Sequence, residues 1–144
     1  MLITGIGGGV ALLAMQICLA KGAHVYVTSG NAEKISKAVS YGAKGGANYK
    51  DGASPVKWPS VVLIRALIPA KWPAEIGKLL SANGATHLDA IVDSAGGDIM
   101  SQTGKILKQG GRVVCYGMYA RILHCEFINA HTILGPPHLL SHLR

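Results

Sequence analysis

The sequence predicts an α/β fold: a parallel sheet with helices on both faces. Three observations carry that reading. Short β-branched runs alternate with stretches of helical period. The helical stretches close on glycine at Gly22, Gly42, Gly84 and Gly110, and a cluster of glycines separates the first apolar run from the first helical one. Glycine takes the left-handed conformation that ends a helix without steric cost. Strands separated by helices pair in parallel through right-handed crossovers.

The elements follow in order. Residues 1–4 read as a strand, and a helix from Gly8 to about Lys21 carries Val10, Leu13, Ala14 and Ile17 on one stripe before stopping at Gly22. The run HVYVT at 24–28 is a second strand. Asn31 suits the N-cap of a helix whose apolar positions Ile35, Ala38 and Val39 keep helical spacing up to Gly42. A weak strand is expected at 46–49. Pro73 belongs in the first turn of a helix with Ile76, Leu79 and Leu80 that ends at Gly84. LDAIVD at 88–93 is a strand. Asp98 caps a helix expected to run through Ile99, Ile106 and Leu107 to Gly110, and RVVCY at 112–116 is the last strand. Two stretches break the pattern. Residues 52–71 hold three prolines and the run 61–64, which fits no βα unit, and the tail from Arg121 holds four of the six histidines.

Composition narrows the function. With 144 residues, 49% hydrophobic and 15% charged, the chain can bury a core without disulfides or structural metal, and disorder is excluded. Cys18, Cys115 and Cys125 share no CxxC spacing and leave one thiol unpaired in any pairing scheme, which points to a reducing, cytoplasmic setting. The net charge is +7, but Lys and Arg form no run and are not interleaved with aromatics, so nucleic acid is not the expected partner. The first twenty residues carry no charge, which by length alone suits a membrane span. Glycines at 5 and 7–9, the polar Thr4 and Gln16, and the lack of a preceding Lys or Arg argue instead for a buried strand followed by a buried helix.

The chemistry concentrates in residues 4–16, TGIGGGVALLAMQ. A strand running through glycines into a helix is the context of a dinucleotide-binding turn. Glycines let the backbone approach a pyrophosphate, and the new helix offers its free N–H groups and the positive end of its dipole. The strict GxGxxG template fails because Val10 occupies its sixth position. The spacing Gly5-x-x-Gly8-x-x-Ala11 fits, with the small Ala11 letting helix and strand pack. Gly5, Gly8, Gly9 and Val10 are therefore the expected pyrophosphate contacts.

An NAD site usually places an acid about 20 residues past the glycines to bind the ribose 2′-hydroxyl. Residues 25–31 contain none, and the first acid is Glu33. Thr28, Ser29 and Lys34 instead suit a 2′-phosphate, which attracts cations and hydroxyl donors. NADP(H) is expected over NAD(H). The strand at 88–93 delivers DSAGG, residues 93–97, to the carboxyl edge of the sheet, where open α/β sheets bind ligands.

TGIGGGVALLAMQ, followed by VYVTSGNAEK, YGAKGGANYKD, LDAIVDSAGG and GGRVVCYGM, resembles the cofactor domain of the medium-chain dehydrogenase/reductase superfamily. The nearest branches are its quinone-reductase-like and zinc-type alcohol dehydrogenase-like members. The resemblance covers residues 1–51 and 72–119 and implies a Rossmann-type, doubly wound parallel sheet. It adds Tyr49 beside the 2′-phosphate and places Ser94, Gly96 and Gly117 by the nicotinamide ribose. It also implies a dinucleotide-binding domain at 1–120 with an atypical insertion at 52–71, then a divergent, loosely packed tail at 121–144. The family's metal ligands lie mainly in an N-terminal domain, and the chain begins inside the first strand of the nucleotide domain. It therefore reads as a truncated form of a two-domain enzyme, with no zinc of its own. His124, Cys125 and the other tail histidines lack metal-ligand spacing. No GxSxG or HExxH motif and no catalytic constellation is visible. The implied activity is hydride transfer to a small carbonyl or quinone, with a homodimer as the assembly to test. The alternatives are a non-catalytic nucleotide-binding or interaction module, or an inactive fragment.

Overall fold

The structure, a computed structural model, describes residues 1–51, 71–94 and 102–116. Strands β1 (Leu2–Ile3), β2 (Tyr26–Ser29), β3 (Gly45–Asn48), β4 (Leu88–Asp93) and β5 (Leu107–Cys115) form one sheet in the order β3-β2-β1-β4-β5. Every pairing is parallel. Helices α1 (Gly9–Ala20), α2 (Ala32–Ser40) and α3 (Trp72–Ala82) cross between strands. The expected Rossmann-like α/β sheet is therefore present. The strand order reverses between β1 and β4, the switch point at whose carboxyl edge open α/β sheets bind ligands.

Alternation along the strands divides the core between the two faces. Leu2 pairs with Tyr26 and Ile91, and these three pack with Trp72, Ile76 and Leu80 of α3. The neighbouring Ile3 pairs with Val27 and faces Ala11 and Met15 of α1 and Ala38 of α2. A helix layer thus covers each side of β1, which explains why that strand is apolar at successive positions. Burial pushes the Tyr26 phenol above its ordinary pKa, and its hydroxyl finds no hydrogen-bond partner among the described residues. At the far edge Lys108 pairs with Asp89 at 2.5 Å and holds that carboxyl below the usual range, but both side chains are exposed and the pair adds little stability.

Local signals set the ends of α2. The Asn31 side chain accepts from the Glu33 amide at 2.7 Å, as expected of an N-cap, and Gly42 takes φ +109 just past the helix. Two expectations fail. The stripe Val10, Leu13 and Ile17 of α1 faces outward, 59%, 58% and 53% exposed, while Ala11 and Met15 are buried. The helix carries no charge to mark its outer face, and small Ala11 permits the close approach to β1 that a branched residue would block. The helix expected to reach Leu107 and Gly110 has already ended, because Leu107 opens β5 and pairs with Leu88. Ile106 and Leu107 are both needed in the core against α3, and the Ile106 carbonyl accepts from the Leu88 amide at 2.7 Å. Gly110 still takes φ +72, but in the irregular stretch where the register jumps from Leu88↔Leu107 to Ala90↔Arg112. The insertion expected at 52–71, apart from Lys71, together with the cap Asp98, Gly96, Gly97, Gly117 and the tail, lies outside the described residues.

No helix among the described residues is long and apolar enough to cross a membrane. The α1 assignment separates two substitutions that a stripe reading would treat alike. Met15→Ala should cost about 2–5 kcal/mol, as for other large-to-small core changes, and Leu13→Ala within about 0.5 kcal/mol of zero. Urea denaturation of both variants checks this, and equal losses would place Leu13 in the core.

Candidate functional site

The turn from β1 into α1 is built from backbone bonds. The Ile6 amide donates to the Thr28 carbonyl at 2.9 Å, and the Gly8 amide donates to the Gly5 carbonyl at 3.3 Å. Gly5 sits at φ +66, and a Cβ there would lie 2.5 Å from the Ser94 hydroxyl. The fold itself requires glycine at this position.

Gly8 and Gly9 are different. Gly8 is the N-cap of α1 at φ −91 and ψ 150, ordinary extended backbone, and makes no side-chain capping bond. A Cβ added at Gly8 or at Gly9 meets nothing within 4 Å among the described residues. Neither packing nor conformation demands glycine at these two positions. The space left by the missing side chains is part of a cavity of about 310 Å³ lined by Ile6, Gly7, Gly8, Gly9, Leu12, Lys34, Lys37, Ala38 and Tyr41. The amides of Gly9, Val10 and Ala11 open α1 and have no helical carbonyl behind them.

The lining also carries positive charge. The Lys34 ammonium reaches from α2 to the turn, and a Cβ on Gly7 would sit 2.8 Å from it. Lys37 lines the same cavity with its ammonium 6.0 Å from the centre of the Tyr41 ring. Two cations, the amide donors and the positive helix end make a setting suited to an anion.

A second group assembles at the carboxyl end of β2. The Ser29 hydroxyl accepts from the Asn31 amide at 3.3 Å, which leaves its own O–H to donate. The Tyr49 amide donates to the Ser29 carbonyl at 3.1 Å. Asn48 closes the next turn, accepting from the Lys50 amide at 3.0 Å and donating to Asp51 at 2.9 Å. Tyr49 and Lys50 thereby lie across Gly30, where a Cβ would stand 2.8 Å from the Tyr49 hydroxyl and 2.6 Å from Lys50 Cε.

The expected residues are thus divided. Gly8, Gly9 and Lys34 share the cavity, with Val10 on the adjoining exposed turn of α1. Ser29 and Tyr49 share the β2 edge. Thr28 is buried, and its carbonyl holds the glycine turn. Ser94 stands across Gly5 at the end of β4. Sequence reading missed Lys37, Tyr41 and Lys50. The first two follow Lys34 at helical spacing on one face of α2, a signal that was legible, whereas Lys50 depends on the Asn48 turn. No group of three or more His, Cys, Asp or Glu among the described residues could hold a metal ion.

Comparison with known proteins accounts for this layout. The profile described as zinc-binding dehydrogenase matches residues 9–136, well over half of the chain. The chain belongs to the zinc-binding dehydrogenase family. A zinc-type alcohol dehydrogenase-like protein, YogA of Leptosphaeria maculans, is 39% identical over 117 residues, which is 81% of this chain and 28% of that protein. Among solved structures, an NAD-dependent alcohol dehydrogenase superposes with a TM-score of 0.58 at 27% identity, covering 86% of this chain and 31% of its own. The mycobacterial protein Rv1454c complexed with NADPH shares the fold, with a TM-score of 0.57 at 22% identity, over 81% of this chain and 30% of its own. The chain therefore spans about a third or less of the length of these relatives. The described residues of this family member do not fit a zinc site.

The two kinds of glycine should respond in opposite ways to the same added methyl. Gly5→Ala should destabilise the protein by about 1–3 kcal/mol, the usual cost of forcing a side chain into the left-handed region. Gly9→Ala, in the first helical turn and in open space, should be neutral or stabilising by up to about 1 kcal/mol. Thermal denaturation of the two variants reads the difference.

Proposed function

We propose that this chain is the dinucleotide-binding part of an oxidoreductase, taking NADP(H) and serving hydride transfer to a small carbonyl or quinone. The observation that carries the reading is the pair Gly8 and Gly9. They are glycines that the fold does not need, at a helix N-terminus, lining a cavity with two lysines. A pyrophosphate approaching the backbone is the ligand that needs both the missing side chains and the free amides.

In this reading the amides of Gly9 and Val10 hold the pyrophosphate, and Lys34 and Lys37 balance its charge. Ser29, Tyr49 and Lys50 around Gly30 receive the adenosine ribose and its 2′-phosphate. Ser94, at the end of β4, stands toward the nicotinamide end, for which Gly96 and Gly117 are the further candidates by sequence. When bound, the cofactor supplies the hydride, and the chain supplies position and electrostatics. The preference for NADP(H) is supported by the missing acid at 25–31 and by the cations on both sides of that segment. The solved relative complexed with NADPH is in keeping with it, while the NAD-dependent relative keeps NAD(H) as the competing cofactor.

Gly8→Val places a branched side chain in the cavity without touching the fold. It should abolish binding of either dinucleotide while circular dichroism stays native, and an unchanged affinity would refute the reading.

Lys34→Ala then tests the cofactor preference. A charge-assisted hydrogen bond to phosphate is worth about 1.5–3 kcal/mol, so the variant should bind NADPH roughly tenfold to a hundredfold more weakly. An NADH affinity that changes little in calorimetry would assign Lys34 to the 2′-phosphate. Equal losses for both cofactors would assign it to the pyrophosphate, beside Gly7.

A further inference from the structure

Two segments meet at the carboxyl edge of the sheet, the glycine turn after β1 and the end of β4 at Ser94. Thr4, which leads into the turn, ties the two with its buried side chain. The Thr4 hydroxyl donates to Asp93 Oδ1 at 2.6 Å and accepts from the Ser94 amide at 3.0 Å. The Ser94 hydroxyl returns a bond to the Thr4 carbonyl at 3.3 Å. Thr4 is 2% exposed and Asp93 fully buried. Backbone bonds extend the tie, with the Thr4 amide donating to the Val92 carbonyl and the Tyr116 amide to the Asp93 carbonyl, at 2.9 and 2.8 Å.

A hydroxyl has one proton to give. Here that proton goes to Asp93, so the lone pair offered to the Ser94 amide is fixed in direction. Oriented this way, Thr4 sets where Ser94 stands, and Ser94 fills the space above Gly5. The positions of the two segments are therefore not independent. Thr4 and Asp93 are buried, so losing the bond between them costs more than losing an exposed one, which makes the arrangement steep in energy rather than soft.

We propose that Thr4, held by Asp93, is a positioning residue that keeps the glycine turn and the end of β4 at Ser94 in one geometry for the dinucleotide. This rests on the dinucleotide reading above and adds to it residues that need not touch the cofactor. The pyrophosphate is common to both cofactors, so loss of the lock weakens NADPH and NADH by the same factor. That separates it from Ser29, Tyr49 and Lys50, whose effect depends on the 2′-phosphate.

The test compares Thr4→Val, which keeps the shape and removes the hydroxyl, with Thr4→Ser, which keeps the hydroxyl. Amide hydrogen exchange and calorimetry with each cofactor are measured on both variants and on the unmodified chain. In Thr4→Val, exchange at Ser94 and Ile6 should rise about tenfold or more relative to Ala47 of β3. Affinity for both cofactors should fall about tenfold. Thr4→Ser should stay within a few-fold of the unmodified chain in both readouts. Unchanged exchange and affinity in Thr4→Val overturn the proposal. So does a Thr4→Ser variant as impaired as Thr4→Val, since that would mean only packing matters. If Thr4→Val does not fold, protection of the Ser94 amide in the unmodified chain decides, and an unprotected amide there overturns the lock. An unmodified chain that binds neither cofactor overturns the dinucleotide reading, while the exchange arm still judges the lock.

Discussion

The 2.6 Å bond from the Thr4 hydroxyl to the buried Asp93 side chain sits where the strand order reverses, and the rest of the site hangs from it. β1 is only two residues long, Leu2–Ile3. A strand that short has few ladder bonds with which to hold the turn that follows. Placing a polar pair immediately beyond it, in full burial, compensates. Each partner would be costly alone, so the pair forms in one arrangement. From there Gly5 turns left-handed under Ser94, Ile6 bonds back to β2, and α1 starts in the one direction that leaves Gly8 and Gly9 open.

The glycines of one short motif therefore have different physical causes. Gly5 answers to backbone conformation and to the Ser94 hydroxyl, and Gly7 lies under the Lys34 ammonium. Gly8 and Gly9 answer to nothing among the described residues. A glycine in the first turn of a helix loses conformational entropy on folding that alanine would not. In the proposed reading, a dinucleotide that uses the space offsets that loss.

Much of the layout was legible in the residues. Glycines 22, 42 and 84 marked helix ends because only one residue type takes those angles cheaply, and Asn31 capped α2 as its side chain predicts. The parallel pairing followed from the alternation of strands and helices. Two features were hidden for opposite reasons. Helix α1 is apolar on every side, so periodicity could not tell Met15 from Leu13. The segment before β5 had a helical period, but tertiary packing of Ile106 and Leu107 against α3 outweighed it. The Thr4–Asp93 pair was invisible because 89 residues separate the partners, and nothing in TGIGGG or DSAGG shows that their first side chains meet. Lys50 was hidden because its position depends on an Asn48 side-chain turn rather than on β3 itself.

Electrostatics at the site are local, and this changes how the net charge of +7 should be read. At physiological salt, exposed charges beyond about 8 Å are largely screened, so most of the scattered Lys and Arg contribute little inside the cavity. What matters is that Lys34 and Lys37 line it from one side of α2, while the positive end of α1 faces them. Glu33 lies next to Lys34 in sequence, but its amide is taken by the Asn31 cap and its side chain is absent from the cavity lining. Helical geometry thus separates the acid from the cation that sequence places beside it. An anion entering between α1 and α2 meets donors and ammonium groups and no carboxylate among the lining residues. That arrangement is set by the angular spacing of positions 33, 34 and 37 on one helix, and the bulk charge of the chain has little part in it.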